Sequence, residues 1–70
     1  MKRRHVNSTA ISTVGYDPAK RVLEIEYTEG KVYRYSDVTP GEYVSLVTAK
    51  SVGAFVNEVI KPRHPQYWEV

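Results

Sequence analysis

Residues 21–35 constrain the fold more than any other stretch of this chain. Leu23, Ile25 and Tyr27 alternate with Glu24 and Glu26, the period of a strand with one face buried and one wet. Tyr33-Arg34-Tyr35 repeats the alternation a few residues later, so Thr28-Glu29-Gly30-Lys31 must turn the chain between two antiparallel strands. Gly30 suits a three-residue loop, a type I turn closed by a left-handed glycine bulge. That loop pairs Ile25 with Tyr33, Leu23 with Tyr35 and Glu24 with Arg34, so apolar meets apolar and opposite charges meet. A two-residue loop would set both tyrosines opposite glutamates and push Arg34 beside Ile25. The first register is predicted, and with it Tyr33 and Tyr35 belong to the core face.

The flanking sequence supplies the other elements. β-Branched Thr9, Ile11, Thr13 and Val14 mark a first strand over about 9–16. Asp17-Pro18-Ala19-Lys20 reads as a type I turn into a second strand over about 21–28. Thr39-Pro40-Gly41-Glu42 is a capping box that opens a helix burying Tyr43, Leu46 and Val47. Ser51 caps a second helix, whose stripe of Val52, Phe55, Val56, Val59 and Ile60 has helical spacing and which is expected to stop before Pro62. The expected fold is α+β: a three-stranded antiparallel β-meander followed by two helices packed on one sheet face. Residues 1–7 read as a flexible basic arm, 8–61 as the single domain and 62–70, with Pro62 and Pro65, as an irregular tail.

Seventy residues allow one domain with a thin core, which leaves little room for a buried polar cleft of enzymatic size. There is no cysteine, hence no disulfide and no thiolate metal site. Lys2, Arg3 and Arg4 are followed by polar residues where a leader would be apolar, and no apolar run has membrane-spanning length. A soluble cytoplasmic protein is the expectation. His5 and His64 sit one in each tail and read as surface histidines, with no metal site. The acids are scattered and the glycines stand singly, so neither a catalytic carboxylate pair nor a phosphate loop is present in the pattern. No enzyme and no cofactor are expected.

Charge is distributed unevenly. Lys2, Arg3, Arg4, Lys61 and Arg63 lie in or beside the tails, while the middle of the chain holds more acids than bases. A polyanionic partner would therefore be held mainly by the tails. Lys50-Ser51-Val52-Gly53 adds an ammonium, a hydroxyl and free amides at a helix start, where an anion is favoured. Gly53 costs helix propensity there. It reads either as room for a ligand or as room for close packing of the two helices.

Together these residues resemble the KTSC domain. The matching string is Ser8, Ile11, Val14-Gly15-Tyr16-Asp17, Leu23, Gly30, Tyr33-x-Tyr35, Val38, Tyr43, Leu46, Ala49, Ser51-x-Gly53, Phe55, Asn57 and Ile60-Lys61. One departure is Thr39, where family members commonly have proline directly after the valine matching Val38. The family is named for a C-terminal domain of some lysyl-tRNA synthetases and also occurs as small stand-alone bacterial proteins. The resemblance implies this fold, and its synthetase context implies RNA binding by analogy. The expected function is thus a non-enzymatic module binding RNA, such as structured tRNA, through Lys2, Arg3, Arg4, Lys50, Ser51, Gly53, Lys61 and Arg63. The alternative is a protein-interaction module using an open sheet edge or Tyr67 and Trp68 of the tail, as a monomer or an edge-paired dimer.

Overall fold

The computed structural model describes residues 1–70. Five antiparallel strands lie side by side in chain order: β1 (Arg3–His5), β2 (Ile11–Asp17), β3 (Val22–Tyr27), β4 (Val32–Tyr35) and β5 (Tyr67–Glu69). The central hairpin has the register read from the sequence: Leu23 faces Tyr35, Glu24 faces Arg34 and Ile25 faces Tyr33. Gly30 closes its turn with φ of 101°, a left-handed conformation that glycine adopts without a Cβ clash. Asp17 holds the preceding turn, its Oδ1 accepting from the amides of Ala19 and Lys20.

The expected three strands become five. β1 and β5 arise from the segments read as a flexible arm and an irregular tail, and they pair with β2 and β4. Each is only three residues long and exposed, so neither carries an apolar pattern long enough to read. Both proposed free edges are therefore covered, and a partner strand would meet only short, charged or aromatic outer strands.

The helices follow the caps. Helix α1 (Pro40–Thr48) starts at Thr39, whose hydroxyl accepts from the Glu42 amide while the Glu42 carboxylate accepts from the Thr39 amide. Helix α2 (Val52–Phe55) starts at Ser51, whose Oγ accepts from the Ala54 amide. The chain does not stop before Pro62. It passes through a π-helical turn (Val56–Ile60), in which the Lys61 amide reaches back to the Val56 carbonyl, and continues as α3 (Lys61–Arg63). Pro62 has no N–H to donate and its ring would collide with a regular α-helical carbonyl. The widened turn changes the hydrogen-bond register just before it.

Packing follows strand parity. Val14, Leu23, Ile25 and Tyr35 meet Leu46, Val52, Val56 and Ile60 in one buried cluster beneath the helices. Tyr16 stacks on Tyr43 at 4.9 Å and donates its hydroxyl to the Val38 carbonyl, fixing the corner where Thr39 replaces the family's proline. The other sheet face carries Glu24, Glu26 and Arg34, as expected, but Glu24 is buried. Across all five strands a single row runs Arg3, Gly15, Glu24, Arg34 and Trp68. Gly15 offers no side chain between Arg3 and Glu24, so the guanidinium crosses β2 and grips the carboxylate through two contacts of 3.1 Å.

Candidate nucleic-acid interface

The structure divides the predicted basic residues into committed and free groups. Arg3 is committed: besides its fork onto Glu24, its Nη1 lies 3.8 Å from Glu26. Arg34 completes the arrangement at 3.3 Å, and the Arg3 hydrogen bonds, more than its own, hold the Glu24 carboxyl below its ordinary value against the opposing effect of burial. Arg63 lies 3.9 Å from Glu42 and keeps a largely exposed side chain. Ser51 spends its hydroxyl on the helix cap. Gly53 is close-packed, though against the chain ahead of β2 rather than against α1. A Cβ there would stand 3.3 Å from Ser8 Oγ and 3.9 Å from the Ala10 methyl. Lys2, Arg4, Lys50 and Lys61 form no ion pair in the structure.

Arg4 and Lys50, distant in sequence, come together. Arg4 pairs with Val14, which puts it on the helix side of β1, and the loop between α1 and α2 brings Lys50 beside it. With Val6, Asn7, Val47 and Val52 they line a groove of ≈ 280 Å³. No acidic residue lines it. A phosphate there would meet two full positive charges without a competing carboxylate.

A larger concavity lies elsewhere, and four of its nine lining residues are tyrosines. Tyr33 and Tyr35 are on the helix-bearing face, as the register requires, but the helices leave the β4–β5 end of that face uncovered. Tyr35 is buried, whereas Tyr33 is half-buried and lines an open cleft of ≈ 670 Å³. The expectation that both rings would be enclosed is therefore corrected at Tyr33. Tyr67 of β5 forms a wall, edge-on to Tyr33 at 5.5 Å and tilted onto Tyr35 at 5.5 Å. Tyr27 stands edge-on to Tyr33 at 5.7 Å, and its hydroxyl meets the Tyr35 hydroxyl at 2.8 Å. Burial pushes both phenols above the ordinary tyrosine value, so the pair stays neutral. The π-helical turn and α3 supply the facing rim, Asn57 and Lys61, with the Lys61 ammonium 5.7 Å from the Tyr27 ring centre. Asn57 was not among the predicted site residues, and Tyr67 was predicted only as a tail residue that docks on a protein partner. The one legible signal was the i, i+4 spacing of Asn57 and Lys61, which puts both on one helix face.

His64 also departs from expectation. It is buried, and its Nε2 lies 2.8 Å from Glu42 Oε2. Burial disfavours the Glu42 charge, but bonds from the Thr39 amide, His64 and the Thr39 hydroxyl outweigh it and hold the carboxyl below its ordinary value. The pair ties the end of α3 to the start of α1, and no group of three side chains is placed to hold a metal ion.

The fold is that of a small α+β domain, a five-stranded meander with helices on one face. The KTSC domain model matches residues 7–64, and the chain belongs to that family. An uncharacterised protein of Stutzerimonas stutzeri is 40% identical over 70 residues, covering 100% of this chain and 99% of its own. A protein of Tsukamurella paurometabola is 45% identical over 58 residues, 83% of this chain and 87% of its own. The crystal structure of a KTSC domain protein from Yersinia pestis superposes with a TM-score of 0.93 at 33% identity, covering 99% of this chain and 96% of that one. No helix is long and apolar enough to cross a membrane.

Proposed function

We propose that this KTSC domain is a non-catalytic RNA-binding module whose phosphate contacts centre on Arg4 and Lys50. The observation that carries the reading is the groove that gathers these two unpaired bases with no acid in its lining. Lys2, exposed at the start of β1, and Lys61 at the second cleft extend the positive surface. Arg3 does not take part, because Glu24 holds it on the opposite face. Binding of this kind is modest and salt-sensitive, and suits the loops and ends of a structured RNA such as tRNA. Non-catalytic action agrees with the use of the acids: Glu24 and Glu42 are engaged in structural ion pairs.

A salt series with mixed cellular RNA tests this reading. Each phosphate contact to a single strand contributes about −0.7 to the slope of log affinity against log salt. Arg4→Ala with Lys50→Ala should flatten the slope by about 1.4 units, and both side chains are exposed, so the fold should persist. Deleting residues 1–5 is not an equivalent test, because it removes β1 and leaves Glu24 without Arg3. If the intact protein binds no RNA even at low salt, a protein-interaction role replaces this one. It would centre on Trp68, which is 45% exposed on the helix-free face.

A further inference from the structure

Apart from Lys61, the tyrosine-lined cleft plays no part in the phosphate contacts just described. Its size falls within the range of small-ligand pockets, about 300–1,000 Å³. Four tyrosines supply its aromatic surface: Tyr67 is 55% exposed, Tyr33 is half-buried, and the neutral phenols of Tyr27 and Tyr35 meet beside them. Three polar side chains face this aromatic surface at the rim: Asn57, Lys61 and Glu29. None of them is engaged in a side-chain hydrogen bond or an ion pair, although the acids and bases of the sheet row are paired. An amide, an ammonium and a carboxylate therefore stand around tilted and edge-on rings.

Two kinds of ligand favour aromatic walls: organic cations and planar heterocycles. The geometry decides between them. Lys61 already places a positive charge against the Tyr27 ring, so a second cation would enter against repulsion. A planar base meets no such penalty. It can stack on the exposed part of Tyr67 or Tyr33, and its edge carries both donors and acceptors, as the rim does. Its 5′-phosphate would find an unpaired ammonium in Lys61.

We propose that this cleft is a binding site for a single unstacked nucleobase, with Tyr33 and Tyr67 as the stacking surface, Asn57 and Glu29 reading the base edge and Lys61 meeting the adjoining phosphate. The site deepens the RNA reading by naming the group that RNA inserts. It also stands without that reading, since a free nucleotide offers the same chemistry. Insertion of one base fits an unpaired end or a loop, not a continuous duplex.

The test uses the full chain and two probes: a short single-stranded RNA beside the same oligonucleotide with abasic sugars, and adenosine 5′-monophosphate. Removing one stacked aromatic should weaken the intact oligonucleotide about ten-fold or more. Tyr67→Ala should have this effect without changing the salt slope, and the abasic strand should bind weakly to both proteins. Asn57→Ala, an exposed position on the helical rim, provides a second variant whose fold does not depend on β5. Adenosine monophosphate should shift the Asn57 and Lys61 amides in an NMR titration. Salt-dependent binding that is equal for intact and abasic strands, with no nucleotide shifts, would overturn the cleft site and leave the RNA reading standing. Nucleotide shifts without any binding of RNA would uphold the cleft and remove the RNA reading.

Discussion

A carboxylate with a side chain 4% exposed persists on the helix-free face of this sheet because two guanidiniums meet it. Glu24 is held below its ordinary value chiefly by the Arg3 hydrogen bonds, and Glu42 is held low despite burial by Thr39 and His64. Both groups bind a proton more readily in the unfolded chain than in the folded one. Their stabilisation is therefore fully present above the unfolded carboxylate pKa and is lost as pH falls through the lower folded value. The urea midpoint should stay level near neutrality and fall below about pH 4.5, the ordinary glutamate value. In Glu24→Gln the midpoint at pH 7 should be lower and the acid slope shallower, which a urea series from pH 7 to pH 3 would read directly. A slope unchanged by Glu24→Gln would mean that the carboxylate gains nothing from its partners.

At the scale of elements, what could be read from the sequence depended on how many residues carried the signal. The central hairpin was legible because apolar matching, charge matching and Gly30 all selected one register. The caps of α1 and α2 were legible because Thr39, Glu42 and Ser51 act on amides three residues away. β1 was not, because what fixes it is a missing side chain. A Cβ on Gly15 would lie 2.9 Å from the Lys2 carbonyl oxygen and 3.2 Å from Arg3 Cγ, so β1 lies against β2 only while that position is glycine. Gly15→Ala should displace β1, loosen Arg3 from Glu24 and cost about 1–3 kcal/mol, a typical overpacking penalty. Faster amide exchange in residues 3–5 than in β3 would check the displacement. Of the candidate site, Tyr35 was rightly assigned to the core, but Tyr33 was placed there too, since Tyr67, the fourth tyrosine of the cluster, arrives from beyond Pro62 and Pro65. The Glu42–His64 bond joins residues 22 positions apart and leaves no local trace.

For the whole molecule, the strand order makes each pairing one between chain neighbours, with a single long closure. β5 pairs Tyr67 with Tyr35 across the entire helical segment, and the Val70 amide bonds to the Val32 carbonyl at 2.8 Å. That closure has the largest entropic cost in the sheet and a small apolar return, since β5 is exposed throughout. Substitutions such as Trp68→Ala should therefore speed unfolding and leave the refolding rate nearly unchanged, a difference visible as a shift of only the unfolding limb of a chevron plot. The wall of the tyrosine cleft is then the last part of the protein to assemble and the first to come away. A base bound against Tyr67 would act as a clasp on that strand, so the protein's own breathing sets how fast such a ligand is let go.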